Sequence, residues 1–403
     1  MQAKGTQPRQ PFACKAGSYE RKSINWRGRV SSYSCVCSLV VGIFVRFKHF
    51  LTGLLVATSI HAAPAADIDA VLDDALRQQF IPGVSAVVIR DHQVIYSAGR
   101  GVADIKTGRP MTDETVMYIG SLSKILTAVL ALRQVERGAL AMSDTLDRQP
   151  AITMLQLITH QSGLPREGDF GYWFSGEFPD APTLAAYVAS APLDFEPGSR
   201  TRYSNIGYAA LGGLVADRAA DTAADSANQD FATLLRARVL EPLEMNHSGA
   251  RGPAPGVASA YSPPARLIPN SKRPFAGVGE KIGRRYLRMY HDAGAMSPAF
   301  GAYSTASDMG RLMLFLLGNG GEDVLSAEMR TRMYKPVASN RGLGLRMESI
   351  NDRSVARHGG WFAAYRSHLL LDPARGIGIV VLANSDSASP NAIADDLYRA
   401  IAW

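Results

Sequence analysis

Apolar positions along this chain fall into blocks whose spacing changes from one block to the next, and the spacing predicts the elements. In residues 68–79, Ile68, Val71, Leu72, Ala75 and Leu76 recur on one helical face. Residues 84–90 and 93–97 are short runs rich in β-branched side chains around the turn pair Asp91-His92, which predicts two strands. The helical period returns over 121–137, carried by Ile125, Leu126, Val129, Leu130, Leu132 and Val135, and Gly138 stops it. The middle, 150–250, reads as mostly helical with long polar connections, and 211–218 and 231–240 are its clearest helices. Residues 253–300 are rich in Pro, Gly and Arg, lack a sustained period, and read as a long irregular rim loop. A helix follows at 307–317. Residues 367–371 and 377–383 then form a hairpin around Asp372-Pro373-Ala374-Arg375-Gly376, and a last helix covers 392–401.

Strands therefore lie at both ends and helices between them. The expected fold is α/β of the α+β kind: one antiparallel sheet built from N- and C-terminal strands, flanked by helices, with a mostly helical lobe inserted in the middle. Residues 67–120 and about 300–403 would form the sheet lobe, and about 121–300 the helical lobe. A site is expected in the cleft between them. The sequence shows no internal repeat.

Composition adds a boundary. The 403 residues are 46% hydrophobic and 20% charged, ordinary globular values. The net charge of +7 is misleading, because residues 1–66 hold nine Lys or Arg and one acid, leaving −1 for 67–403. Nucleic acid is thus not an expected partner. Cys14, Cys35 and Cys37 all precede residue 67, so the remainder has no disulfide, thiolate metal site or cysteine nucleophile. Arg46 and Lys48, then an 11-residue apolar run from 50 to 60, then Ala62-Ala63-Pro64-Ala65-Ala66 read as a secretory signal at about 45–65. A periplasmic or secreted location is expected, with membrane contact only through an uncleaved leader. The basic stretch before it is too long for a signal; translation from near Val45 is the expectation that accommodates it, with a disordered basic tail as the alternative.

Candidate chemistry sits in the second part. Ser121 and Lys124 in Ser121-Leu122-Ser123-Lys124 are one helical turn apart and share a face. A serine hydroxyl needs a neighbour to take its proton, and a lysine with depressed pKa can do so. Ser-x-x-Lys alone arises by chance about once in a chain this long, so Ser121 as a mere helix cap stands beside that reading. Tyr203 and Asn205, two apart in an extended loop, would point the same way: Tyr203 to relay a proton with Lys124, Asn205 to orient Lys124 and the substrate. His358-Gly359-Gly360 opens a strand region whose glycines let a substrate backbone approach closely. Thr159-His160-Gln161-Ser162-Gly163-Leu164 reads as a structural turn on the cleft floor, with His160 as a base the sharper alternative. Ser226-Ala227-Asn228 is set aside as chance. Lys272, Arg273, Arg284, Arg285 and Arg288 read as solvated loop charges, with attraction of anionic substrate the alternative. Neither a Gly-x-Ser-x-Gly elbow, a His-Glu-x-x-His pair nor a phosphate-binding glycine loop occurs.

The order of these motifs, with Phe195-Glu196-Pro197-Gly198 and Gly207-Tyr208-Ala209-Ala210-Leu211-Gly212 around the tyrosine, resembles the serine β-lactamase and penicillin-binding-protein superfamily on its class C side. The resemblance covers about 75–400. It implies a two-step acyl-enzyme mechanism without metal or organic cofactor. Ser121 would be the nucleophile, and Lys124 and Tyr203 would move its proton. The N–H groups of Ser121 and Trp361 would form the oxyanion hole, with Asn205, His358 and Gly360 facing substrate. Typical β-lactamases carry Lys-Thr-Gly where this chain has His358-Gly359-Gly360, so Arg357 or Arg366 is expected to supply the missing charge. The leading expectation is a periplasmic β-lactamase or D-Ala peptidase. The alternatives are a carboxylesterase or D-amino-acid amidase, and a non-catalytic binder of wall fragments. The partner would be a small molecule or peptidoglycan peptide, and the protein a monomer.

Overall fold

Three tight turns shape the main sheet, one of them Ala363-Ala364. Asp91 and His92 both adopt positive φ, 51° and 62°, and fold β1 (Gly83–Arg90) back on β2 (Gln93–Gly101). Asn351 and Asp352, at 48° and 61°, do the same for β3 (Arg346–Ile350) and β4 (Arg353–Phe362). With β5 (Tyr365–Asp372) and β6 (Ile377–Ala383), these form one six-stranded antiparallel sheet in the order β3-β4-β5-β6-β1-β2. N- and C-terminal strands meet where Val84 to Ile89 pair with Ala383 to Gly378. The computed structural model describes residues 65–218, 230–252, 254–263, 278–288 and 292–401, all within one unit spanning Ile60–Trp403. Most of the expected signal, the three cysteines, Ser226-Ala227-Asn228, Lys272 and Arg273 lie outside the described residues.

Both faces of the central strands are buried, and the alternation assigns each residue a side. Val84, Ala86 and Val88 of β1 pack with Ile68 and Leu72 of α1 (Ala65–Gln79) and with Ile393 and Leu397 of the C-terminal helix. Val87 and Ile89 face the other way, into the larger core shared with α2 (Ser123–Glu136) and the helical lobe. The α+β arrangement read from the sequence is the one found, with α3 (Tyr172–Ser175), α4 (Asn205–Arg218) and the short elements around them as the helical lobe. The C-terminal helices, α5 (Ala306–Leu316) and α6 (Pro390–Ile401), fall where the apolar spacing put them.

Residues 253–300 depart from the expected loop. Tyr261–Ser262, Arg285–Arg288 and Val278–Ile282 form a small three-stranded sheet, and Gly294–Met296 and Ser297–Gly301 make two helical turns. Strands of two to five residues are too short to show a period, which is why the sequence hid them.

Three buried histidines make stability depend on pH. Burial pushes His358 and His368 down to about 3 and His160 well below its ordinary range. The unfolded chain takes up these protons near pH 6.5 while the folded one refuses them, so stability falls as pH drops from about 6.5 towards 3, by up to about 4 kcal/mol per pH unit for three such groups. Urea midpoints measured from pH 7 to 4.5 should decline, less steeply in His368→Asn. Equal slopes in the two proteins would contradict this origin.

Candidate active site

The site begins at a glycine. Gly120 has φ +53° and packs so closely on β4 that an added Cβ would sit 2.3 Å from the Trp361 backbone nitrogen. Gly360 returns the approach: its Cβ would lie 2.1 Å from the Ile119 carbonyl oxygen. The turn Gly120–Leu122 is thereby pressed against β4, with the main chain of Gly120, the residue before Ser121, against that of Trp361. This edge is free because β3 pairs with β4 only as far as Arg357.

Ser121 lies in this 3-10 turn and α2 starts two residues later, a small correction to the expected helix start. Its hydroxyl caps nothing. It accepts from Tyr203 Oη at 2.7 Å, and Lys124 Nζ lies 3.5 Å away. The cap reading of Ser121 therefore fails. Ser123, the other serine of the motif, is buried and holds the turn: it donates to the Gly120 carbonyl at 2.6 Å and accepts from Ala302 N at 3.0 Å.

Lys124 is fully buried. Its Nζ donates to Asn205 Oδ1 at 2.7 Å and to the Ala299 carbonyl at 2.6 Å. Burial holds its pKa well below the usual lysine range, with Arg166 and Arg341 adding to the effect and Glu167 opposing it. A buried charged amine is far costlier than a neutral one, so burial favours the free amine. As a free amine it has two N–H bonds, both used, and a lone pair left for the direction of Ser121.

Tyr203 ends a loop and Asn205 opens α4, so they are not both in extended chain as the spacing suggested. Ser204 between them accepts from Gly207 N at 2.8 Å, the bond an N-cap serine makes. Burial raises the Tyr203 phenol to about 12, so it is a proton donor at rest. His160, buried at φ +61°, accepts from Ser204 N through Nδ1 at 3.2 Å, and its ring lies 4.6 Å from that of Tyr203. These contacts fit a structural turn.

The third motif differs from expectation in its charges. His358, 9% exposed, sits on the Lys124 side of β4, its Nδ1 2.9 Å from the Gly359 carbonyl, and is neutral. Arg357 also lines the cavity, but its guanidinium is already engaged, pairing with Glu348 at 3.2 Å and with Asp395. Arg366 lies over the Trp361 ring at 5.9 Å.

Ser121, Tyr203, Asn205, His358, Gly360 and Trp361 line one cavity of about 1050 Å³, with Lys124 buried behind Ser121. Three further groups in its wall were not singled out in the sequence. Glu167 accepts from Asn205 Nδ2 at 2.9 and 3.0 Å. Arg341 is half-buried, and its guanidinium has no hydrogen-bond or ion-pair partner among the described residues. Trp173 of α3 meets Trp361 across the cleft, ring centroids 5.2 Å apart, and Phe300 at 5.1 Å. A lone acid, arginine or tryptophan in a loop carries no periodic signal. No group of residues suited to holding a metal ion occurs among the described residues.

Residues 68–402 match the family described as Beta-lactamase. The chain is 29% identical over 378 residues to Esterase EstB of Burkholderia gladioli, covering 82% of this chain and 93% of the esterase. It is 29% identical over 217 residues to a Beta-lactamase of Escherichia coli strain K12, spanning 50% of this chain and about half (54%) of that enzyme. Its fold is similar to that of the D-amino acid amidase from Ochrobactrum anthropi SV3, with TM-score 0.69 at 20% identity, over 84% of this chain and 99% of the amidase.

Proposed function

The chain belongs to the Beta-lactamase family and is a serine hydrolase, and from that premise we propose that it hydrolyses esters of apolar acids through an acyl-enzyme on Ser121. Lys124 takes the hydroxyl proton as Ser121 attacks the carbonyl. The Ser121 and Trp361 N–H groups receive the oxyanion. Tyr203 donates to the departing oxygen, and water, activated by the same pair, releases the acid.

The observation that carries the ester reading is the Trp173–Trp361 pair, which narrows the cleft and, with Phe300, makes its wall aromatic. Each 100 Å² of apolar acyl surface laid on such a wall contributes about 2.5 kcal/mol. The neutral His358 beside it offers no positive charge to a carboxylate. One observation favours the second reading, a lactamase or D-Ala peptidase: Arg341 is a cation in the same cavity without a described partner, suited to a substrate carboxylate.

Turnover decides between them. 4-Nitrophenyl butyrate should be hydrolysed with kcat/KM at least about 100-fold above that for benzylpenicillin or a diacetyl-Lys-D-Ala-D-Ala peptide. The reverse ranking would transfer the assignment to the second reading. A stable penicillin adduct at Ser121 with no ester turnover would support a binder of wall fragments. The proposal extends to location: the basic segment, short apolar run and small residues at about 45–65 support export. Cell fractionation with N-terminal sequencing tests it, and an uncleaved cytoplasmic product would refute it.

A further inference from the structure

Glu167 contacts none of the reacting groups directly, yet its bonds decide how one of them faces. Its Oε1 accepts from Arg166 Nε at 3.0 Å and from Asn205 Nδ2 at 2.9 Å. Its Oε2 accepts from Tyr172 Oη at 2.7 Å and from Asn205 Nδ2 at 3.0 Å. An asparagine amide fits its space in two orientations that exchange oxygen and nitrogen. Here Nδ2 faces the carboxylate and Oδ1 faces Lys124 Nζ at 2.7 Å. The flipped amide would set oxygen against carboxylate and N–H against the amine.

We propose that Glu167 is a positioning residue: it fixes the Asn205 amide so that the lone pair of Lys124 is presented to Ser121. This rests on reading Lys124 as the base for Ser121. With Oδ1 facing it, Lys124 donates one hydrogen to Asn205 and the other to the Ala299 carbonyl, leaving its lone pair for the serine. A flipped Asn205 would donate to Lys124 and occupy that lone pair. Glu167 thus acts on the reaction through Asn205, and the backbone supports it separately. The Arg166 carbonyl accepts from Asn205 N at 2.8 Å and from Ile206 N at 3.3 Å, bonds that a changed side chain at 167 leaves in place.

Its charge gives a second readout. The charged and titratable groups around Lys124 are Glu167 and Arg166 from one loop, Arg341 from another, His160, His358, Tyr203 and Tyr208. Glu167 is the acid among them and favours the ammonium, whereas Arg166 and Arg341 disfavour it. Removing its charge lowers the proton affinity of Lys124 further.

The test is the pH profile of ester hydrolysis in Glu167→Gln and Glu167→Asp. Glutamine can offer either end of its amide and so loses the orientation. We expect kcat to fall about tenfold, the scale of one bond to a charged group, with KM little changed and the acid limb moved to lower pH. Aspartate keeps charge and orientation and should restore most of kcat with the limb at its wild-type pH. A wild-type kcat in Glu167→Gln, an unmoved limb, or aspartate no better than glutamine would overturn the proposal. Lys124→Gln separates the two levels. If the acid limb survives it, the base assignment itself is wrong. If it vanishes there yet stays fixed in Glu167→Gln, only the role of Glu167 falls.

Discussion

Ser121→Ala is expected to lower kcat by at least about 10⁴-fold, the scale of a deleted nucleophile, while moving the melting temperature by no more than a few degrees. Chemistry and structure separate cleanly at this residue. Its hydroxyl contacts Tyr203 Oη and Lys124 Nζ and no main-chain group. The turn that carries it is held by Ser123, by the φ of Gly120 and by the approach of Gly360, all unchanged in the variant. A side chain that lines an open cavity and caps no helix costs little to truncate, usually within about 0.5 kcal/mol. Labelling with a fluorophosphonate followed by peptide mapping gives the complementary result: an adduct on Ser121 in the wild type and none in the variant. Residual activity above about 1%, or an adduct on Ser123, would move the nucleophile elsewhere.

What the sequence could reveal follows from the range of each signal. Ser121 and Lys124 were legible because one helical turn joins them and the helix after them is strongly periodic. Tyr203 and Asn205 were legible because both lie at the entrance of one helix. The sheet was legible where strands are apolar on both faces, as in β1 and β6, and not in β3, an edge strand whose Arg346 and Glu348 give it no hydrophobic pattern. Arg357 shows the limit of local reading: the sequence placed it beside the cavity, where it lies, but not its pairing with Glu348 and Asp395. Glu167, Arg341 and Trp173 are a different case. Each reaches the site from a loop or a four-residue helix, and only the tertiary fold brings them to Ser121.

Lys124→Ala should cost at least about 100-fold in kcat, the contribution of a general base, and should erase the acid limb of the pH profile. The sign follows from burial. In the proposed mechanism the active form is the free amine, so activity should rise with pH through the Lys124 pKa, which lies below the ordinary 10.5. Tyr203 stays protonated to about 12, so no alkaline fall is expected below about pH 11. His358, at about 3, does not titrate where the enzyme is assayed. Alanine also strands Asn205 Oδ1 and the Ala299 carbonyl, which costs about 1–3 kcal/mol for each buried group left unpaired. Lys124→Gln answers that difficulty, because its amide can still donate to those oxygens but has no basic lone pair. If glutamine restores the melting temperature and leaves kcat as low as alanine does, the loss belongs to the base. If glutamine restores kcat as well, Lys124 serves only to hold Asn205 and Ala299 together, and the proton of Ser121 must leave through Tyr203.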